Sequence, residues 1–180
     1  MAMAKITIFG LAGTGKTTAG KMLAEKLGCA YVSTGNIFRS YADEKGMTLN
    51  EFEELANKTD EYDRRLDTET AVYGKKNHNF VFESRLAWHF IPDSFKIVLV
   101  CPLEERVSRM AHREGKSFDK VFEETLQREE LITKRYKNYY GIENFDNPKN
   151  FDFVVDTGPN NAEKVVEMIL EELKNRHLIK

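Results

Sequence analysis

The sequence has little of what several classes of protein require. Only two cysteines, Cys29 and Cys101, occur in its 180 residues, too few for the disulfide framework of a small secreted domain. The formal net charge is −2, so the surface as a whole offers nothing basic to a nucleic acid. No apolar run approaches the roughly 18 residues of a membrane-spanning helix, and no signal peptide is recognisable. We therefore expect buried free thiols, a cytoplasmic location, and no nucleic-acid or membrane partner.

The stretch KITIFGLAGTGKTT, residues 5–18, carries the clearest chemical pattern. It fits G-x-x-x-x-G-K-[ST], in which Gly10 and Gly15 let the backbone turn its N–H groups onto phosphate oxygens. Lys16 would reach the β- and γ-phosphates of a nucleotide, and the Thr17 hydroxyl would take one position on Mg²⁺. Apolar residues before the loop and helical spacing after it place the loop at a helix N-terminus, which favours anions. The residues expected to bind the nucleotide are Gly10, Leu11, Ala12, Gly13, Thr14, Gly15, Lys16, Thr17 and Thr18.

Short apolar runs alternate with helical patterns along the whole chain. Such alternation predicts a three-layer α/β/α fold with a five-stranded parallel sheet, in which ligands bind at the carboxyl ends of the strands. No repeat or linker interrupts the pattern, so residues 1–180 are expected to form a single domain. The predicted strands are Lys5 to Phe9, Ala30 to Ser33, Phe80 to Glu83, Lys96 to Val100 and Phe151 to Asp156. We expect all five to be buried.

Two segments are too long to be simple connections between strands. The second and third predicted strands are separated by 46 residues, and the sequence Thr48-Leu49-Asn50-Glu51 within them is a capping box that predicts the start of a helix. After the fourth strand, residues 104–113 and 118–140 have helical patterns on either side of a Glu-Gly-Lys-Ser turn. We expect these helical insertions to cover a substrate at the loop's end of the sheet.

Arginines recur at helical spacing in the second insertion. Arg128 and Arg135 lie seven residues apart and can share one helix face, as can Arg106 and Arg113. A phosphoryl group in transfer spreads negative charge over its oxygens, and guanidinium groups carried by a lid would stabilise that charge. We expect this role for Arg113, Arg128 and Arg135. For Arg106 we prefer a solvated position on a charged helix, with Glu123, Glu124, Glu129 and Glu130 as the available partners.

Two more arginines follow the ends of predicted strands. Arg39 comes after the second strand, and Arg85 comes after Glu83 at the end of the third, so both should face the loop. A phosphate already attached to an acceptor would fit between two such guanidinium groups, which would fix its angle of attack. Each arginine could instead pair with a carboxylate such as Asp60 or Asp63. Glu83 could hold a water molecule on Mg²⁺ or only orient Arg85 or Lys16.

Two short matches to the motifs of GTP-dependent switches have to be weighed. Residues 43–46 fit D-x-x-G and residues 57–60 fit N-K-x-D. In a switch both motifs lie at strand ends, where they face the γ-phosphate and the guanine edge. Here both fall in or beside predicted helices, so we set the switch hypothesis aside.

Taken together, these features resemble the P-loop nucleoside monophosphate (NMP) kinases, most closely the short-lid cytidylate kinases of archaeal type. The resemblance covers nearly the whole chain, and beyond the loop it depends on the order and spacing of the segments. The segments are GLAGTGKTT, VSTGNIFR, GMTLNEFEELA, DEYDRRLD, FESRLA, RVSRMAHREGKS, QREELITKRYKNYYGI and FDFVVDTG. The resemblance implies a core of residues 1–34, 77–113 and 141–180, an NMP-binding insertion at about 35–76 and a lid at about 114–140.

The resemblance also implies an activity, transfer of the γ-phosphoryl group of ATP to CMP or dCMP with Mg²⁺, carried out by a monomer. A phosphomonoester has its second pKa near 6 and is already a nucleophile at neutral pH, so no general base is needed. The residues implied for the acceptor are Thr34, Gly35, Arg39, Asp60, Asp63 and Arg85. Those implied for the adenine are Arg109 and Thr157, and those that close over the reaction with Lys16 are Arg113, Arg128 and Arg135.

The chain departs from the family pattern at three points. It has Ser84 where the family has the glycine of E-G-R, it has Gly20 inside the first helix at a cost of about 1 kcal/mol relative to alanine, and it has Ile132 where bacterial relatives read cytosine with an aspartate. We expect Asp60 or Asp63 to accept a hydrogen bond from the cytosine amino group and to disfavour uracil. Two alternatives stay open. The acceptor could be AMP, dTMP or a small non-nucleotide alcohol, or the chain could bind nucleotides without transferase activity.

Overall fold

The structure, a computed structural model, describes residues 4–56 and 58–180. Its five strands are all parallel and form one sheet in the order β2-β3-β1-β4-β5. The predicted α/β fold with a five-stranded parallel sheet is confirmed. The strands are β1 Lys5–Gly10, β2 Ala30–Ser33, β3 Phe80–Glu83, β4 Phe95–Val100 and β5 Phe153–Asp156. The helices are α1 Lys16–Leu27, α2 Thr34–Glu44, α3 Leu49–Ala56, α4 Glu61–Lys76, α5 Ala87–Phe90, α6 Leu103–Glu114, α7 Phe118–Tyr140 and α8 Ala162–Asn175.

Alternating residues of β1 assign different helices to the two faces of the sheet. Ile8 is completely buried on one face with Leu23 of α1 and Ile169 of α8. Its neighbour Phe9 points to the other face, where it packs in a cluster with Tyr136 of α7. Because successive side chains of a strand point to opposite faces, this alternation produces the three layers. Each fully buried aliphatic side chain of this kind contributes about 1.5–3 kcal/mol to folding.

Two predictions about burial are wrong. The edge strands β2 and β5 have a neighbour on only one side, and residues such as Ala30 and Val154 are exposed to solvent. The cysteines are free thiols, as expected, but both Cys29 and Cys101 are only half-buried. Cys29 directly precedes an edge strand and Cys101 directly follows β4, so both lie where the core ends.

The helices between β2 and β3 have a small core of their own. The rings of Tyr41, Phe52 and Tyr62 are buried, and Phe52 contacts the other two edge-on. The predicted capping box at the start of α3 is confirmed. The backbone N–H of Thr48 donates to Glu51 Oε2 at 2.8 Å, and the backbone N–H of Glu51 donates to Thr48 Oγ1 at 3.3 Å.

The helices also bear on two possibilities, a GTP-dependent switch and a membrane-spanning protein. Asp43 lies near the end of α2 and Asp60 directly precedes α4, so neither match to a switch motif is placed at a strand end. Asn57, the first residue of the second match, lies outside the described residues. Among the helices of residues 4–56 and 58–180, none combines the length and the apolar character that crossing a bilayer requires.

Candidate active site

The phosphate loop leaves β1 at the edge of the sheet where the carboxyl ends of all five strands meet. Gly13 and Gly15 have φ angles of 84° and 83°, a left-handed conformation that glycine adopts without strain. Gly10 has no room for a side chain, because a Cβ there would lie 2.5 Å from Thr14 Oγ1. Helix α1 begins at Lys16 directly after the loop, so the unpaired N–H groups of its first turn are available to an anion.

Lys16 is folded against the loop, where its Nζ donates to the Leu11 carbonyl oxygen at 3.0 Å. Burial, and then the positive charge of Arg85, lower the pKa of Lys16 from 10.5 to about 8. Arg128 acts in the same direction and the carboxylate of Glu83 opposes it. A lysine and two arginines around one carboxylate leave an excess of positive charge, which a polyphosphate would neutralise.

The Glu83 carboxylate, at the end of β3, is held by two hydroxyl groups. Thr17 Oγ1 donates to Oε1 at 3.1 Å, and the Tyr31 hydroxyl donates to Oε2. The Tyr31 ring lies over Gly20, where a Cβ would be 3.0 Å from ring atom Cε2. This contact explains the glycine inside α1. Tyr31 was not among the residues predicted from the sequence, although a glycine inside a helix, Gly20, indicates that a neighbouring group packs closely there.

The acidic residue Asp63 of α4 faces Arg135 of α7, with 3.3 Å between Asp63 Oδ2 and Arg135 Nη1. Burial raises the pKa of Asp63, and the charges of Arg135 and Arg85 oppose that rise. Asp63 Oδ2 and Arg135 Nε are both buried without a hydrogen-bond partner, so the contact is an ion pair that lacks hydrogen-bond geometry. The Asp63 carboxylate and the Arg135 guanidinium therefore retain unused hydrogen-bonding capacity.

A second contact joins α4 to α7 one helical turn away. The Tyr140 hydroxyl donates to Asp67, and burial raises the pKa of Asp67 to about 6, with the Tyr140 hydrogen bond opposing the rise. The two predicted insertions are thus linked at successive turns of α4. Asp67 and Tyr140 were not among the residues predicted from the sequence. The spacing of four residues between Asp63 and Asp67 was the available signal.

A cavity of about 170 Å³ lies between the phosphate loop and the two helices α6 and α7, and Arg85 and Arg128 both line it. Buried Ile132 forms part of its wall. Pockets that bind small molecules usually measure about 300–1,000 Å³. This cavity alone is therefore too small to hold a nucleotide.

Three predicted site residues have partners outside the group formed by Lys16, Arg85 and Arg128. Arg39 is exposed and donates to a side chain one turn earlier on α2. Asp60 forms an ion pair with Arg64 at 2.5 Å. The side chain of Arg113 is 68% exposed and pairs with Glu114. Thr34 and Gly35 begin α2 at the same sheet edge as the loop.

Arg109 and Thr157, both assigned to the adenine by the resemblance, contact each other. Arg109 Nη2 donates to the carbonyl oxygens of Thr157 and Gly158 at 2.7 and 3.2 Å. Thr157 Oγ1 donates to the Thr14 carbonyl oxygen at 3.0 Å. The loop after β5 is thereby tied to the phosphate loop and to α6.

The burial of Arg106 contradicts the solvated position predicted from the sequence. Arg106 is 4% exposed rather than solvated, although Glu129 is its partner as expected, with 2.7 Å between Nη1 and Oε1. Nη1 also donates to the Ala12 carbonyl oxygen of the phosphate loop at 3.0 Å. The sequence did indicate this burial, because Arg106 lies on the same face of the helix as the buried Val107 and Met110.

Ser84 does not project toward the cavity mouth. Its backbone N–H donates to the Ile8 carbonyl oxygen at 3.1 Å, and its hydroxyl oxygen accepts from the Leu86 N–H at 3.2 Å. The extra side chain, relative to the glycine of the family pattern, therefore supports the turn into α5.

Comparison with known proteins shows that this chain is similar to kinases in sequence and in fold. The sequence model of the cytidylate kinase-like family matches residues 5–159. A cytidylate kinase from Methanobrevibacter smithii is 40% identical over 169 residues, which is 94% of this chain and 98% of that protein. A cytidylate kinase from Archaeoglobus fulgidus is 40% identical over 171 residues, 94% of each chain. A shikimate kinase from Bacteroides thetaiotaomicron shares the fold, with a TM-score of 0.62 at 19% identity over 96% of this chain and 99% of that one.

Proposed function

This chain belongs to the cytidylate kinase-like family, and we propose that it transfers the γ-phosphoryl group of ATP to CMP or dCMP, which yields ADP and CDP or dCDP. The observation that carries the proposal is the convergence of Lys16, Arg85 and Arg128 at the mouth of the phosphate loop. Such a cluster holds more positive charge than one nucleotide-binding loop requires, and it suits two phosphorylated molecules bound end to end.

The proposed chemistry depends on positioning and charge. The loop amides and Lys16 hold the β- and γ-phosphates, and Arg85 holds the phosphate of the acceptor. The acceptor oxygen is already ionised at neutral pH, so it attacks the γ-phosphorus without a general base. Arg128 and Arg135, joined by Arg113 when the lid closes, stabilise the charge on the transferred group.

Mg²⁺ is the proposed companion of ATP, and the oxygen atoms of Thr17 and Glu83 suit it. In the described parts of the chain, no three acidic, histidine or cysteine side chains are grouped as metal ligands, and Mg²⁺ commonly relies on few protein ligands with phosphates and water. We assign the Thr17 hydroxyl to the ion directly and Glu83 to a bound water. When bound, the ion would neutralise charge on the β- and γ-phosphate oxygens. Tyr31 would keep the Glu83 carboxylate in place.

The remaining proposed contacts lie on the insertions and beside α6. Arg109 and Thr157 would flank the adenine. The acceptor would meet Thr34, Gly35, Arg39, Asp60 and Asp63. Arg39, Asp60 and Arg113 are displaced from the cluster in the structure and would approach it as the insertions close over both nucleotides.

Asp63→Asn should lower the preference for CMP over UMP by about tenfold in kcat/KM. Asp63 Oδ2, which has no hydrogen-bond partner in its ion pair with Arg135, can accept from the cytosine amino group, whereas uracil presents a carbonyl oxygen at that position. An asparagine can donate to that oxygen. The measurement is the ratio of kcat/KM for the two acceptors. The matched variant is Asp93→Asn, which should leave the ratio unchanged because Asp93 is paired with Lys5 at the opposite edge of the sheet. An unchanged ratio in Asp63→Asn would remove Asp63 from base recognition.

Binding of ATP at pH 8 should be accompanied by uptake of about half a proton, and binding at pH 6.5 by almost none from Lys16. The pKa of Lys16 is about 8 in the free protein, so roughly half of the side chains are neutral at pH 8. An adjacent polyphosphate favours the charged ammonium and raises its pKa. Calorimetry in buffers of different ionisation enthalpy measures the uptake. Equal proton uptake at both pH values would contradict contact between Lys16 and the phosphates.

The proposed activity is tested by incubating the protein with ATP, Mg²⁺ and CMP and separating the products. We expect ADP and CDP in equal amounts, and no ADP when CMP is omitted. Nucleotide binding without any CDP would instead favour a binding module. We also propose that the protein is a cytoplasmic monomer whose partners are these small nucleotides, in keeping with its net charge of −2 and its free thiols.

A further inference from the structure

The proposed reaction gives no role to Arg106. Yet Arg106 is more deeply buried than the arginines paired with Asp60, Asp63 and Glu114. Its side chain is 5% exposed, compared with 24% for its partner Glu129. Burying a guanidinium is costly even when it is paired, and its Nε has no hydrogen-bond partner. A solvated ion pair or an apolar residue would serve α6 with less cost, so the position calls for a function.

The guanidinium holds one peptide group of the phosphate loop. Arg106 Nη1 donates to the Ala12 carbonyl oxygen at 3.0 Å. The peptide bond between Ala12 and Gly13 is planar and trans, so its carbonyl oxygen and its N–H point in opposite directions. Fixing the oxygen toward α6 therefore turns the Gly13 N–H away from α6.

The loop backbone also rests directly on α6 at this point. A Cβ at Gly13 would lie 2.6 Å from the Arg106 carbonyl oxygen and 2.9 Å from its Cα. The Ala12–Gly13 peptide is the central one of a turn that the Thr14 N–H closes on the Leu11 carbonyl oxygen at 3.3 Å. Gly13 has a φ angle of 84°, and because glycine permits both orientations of such a peptide, the hydrogen bond from Arg106 favours the observed one.

Glu129 completes the arrangement from the lid. Its carboxylate balances the charge of Arg106 at 2.7 Å, so the guanidinium is kept on the Ala12 carbonyl instead of moving toward a bound phosphate. Glu129 directly follows Arg128 on the lid helix α7. The position of the lid helix is therefore connected to the orientation of a loop peptide.

We propose that Arg106 is a positioning residue that orients the Gly13 N–H toward a phosphate of the bound nucleotide, with Glu129 of the lid helix holding the guanidinium in place. This inference rests on the proposed nucleotide site at the loop. It assigns Arg106 to donor binding and not to the acceptor or to the transferred group.

The test compares ADP affinity with stability in two variants. Arg106→Met should weaken ADP binding on the order of tenfold, the effect of one misdirected hydrogen-bond donor to a charged group, and should lower Tm because Glu129 is left without its partner. The double variant Arg106→Met with Glu129→Met replaces a buried ion pair by apolar side chains, so Tm should recover. Its ADP affinity should stay about tenfold low, because the Ala12 carbonyl still has no donor. CMP affinity should change by less than about twofold in both variants.

Recovery of ADP affinity together with Tm in the double variant would overturn the proposal, since Arg106 would then be merely structural. Unchanged ADP affinity in Arg106→Met would overturn it as well. The matched control is Arg176→Met. Arg176 likewise donates to a glutamate, Glu172, and to a backbone carbonyl oxygen, that of Asp152. It lies at the end of α8, far from the phosphate loop, so ADP affinity should not change. If the wild-type protein itself failed to bind ADP, the proposed function would be overturned along with this inference.

Discussion

Lys16→Met should lower kcat by about a thousandfold without unfolding the protein. The ammonium lies among the positive charges of Arg85, Arg106 and Arg128, so its removal relieves repulsion and should not unfold the protein. Removing one preorganised donor to a developing charge typically costs about 10²–10³ in kcat. Initial rates of ADP release at saturating ATP and CMP measure this effect.

The same variant should be at least as stable as the wild type below about pH 8. The pKa of Lys16 in the folded protein lies below its unfolded value of 10.5, so the proton opposes folding. That penalty is fully present below about pH 8 and disappears as the pH rises from 8 toward 10.5. The advantage of Lys16→Met in Tm should therefore shrink across this window. A variant that retained most of its kcat, or that lost its fold at pH 7, would contradict the proposed position of the ammonium.

Arg85→Met should lower kcat/KM for CMP by about a thousandfold and leave ADP affinity within about twofold of the wild type. Arg85 lies between the two halves of the site, since its charge acts on both Lys16 and Asp63. It also lines the cavity next to the phosphate loop. A guanidinium binds a phosphate through two parallel hydrogen bonds, which fixes the direction of attack as well as the affinity. Steady-state kinetics over CMP concentration and calorimetric titration with ADP give the two quantities.

Arg85→Lys separates charge from geometry at this position. It keeps the positive charge but not the planar guanidinium, so kcat/KM should fall by an intermediate amount, about tenfold to a hundredfold. In Arg85→Met the pKa of Lys16 should also rise, because one of the charges that lower it is gone. Proton uptake on ATP binding at pH 8 should accordingly become smaller. Equal losses of ADP and CMP affinity in Arg85→Met would show that Arg85 supports the donor loop and does not hold the acceptor.

The features that could be predicted from the sequence are those set by local patterns. The apolar runs located all five strands, and β2 and β3 were placed with their observed ends. The capping box at Thr48 and the left-handed glycines of the loop follow from requirements of a single turn of backbone. Interior contacts between distant segments leave weaker signals. The burial of Arg106 depends on a loop 94 residues away, and only its place on an apolar helix stripe hinted at it.

The positions of exposed arginines could not be predicted for a different reason. A surface ion pair is worth only about 0–1 kcal/mol. Arg113 forms one with Glu114, and Arg39 forms a hydrogen bond with Asn36, so both contact near neighbours on their own helices. Helical spacing gives the face of such a residue but not the direction of its long side chain. The two contacts between α4 and α7, at Asp63 and Asp67, depend on how two insertions pack, and no pattern within either helix specifies that.

The most direct measurement is kcat/KM for ADP release with CMP, dCMP, UMP, AMP, GMP and dTMP as acceptors, at saturating ATP and Mg²⁺. CMP or dCMP should give the highest value, at least about tenfold above UMP. A higher value for any other acceptor in the panel, or ADP release that does not depend on an acceptor, would contradict phosphoryl transfer to a cytidylate between Lys16 and Arg85.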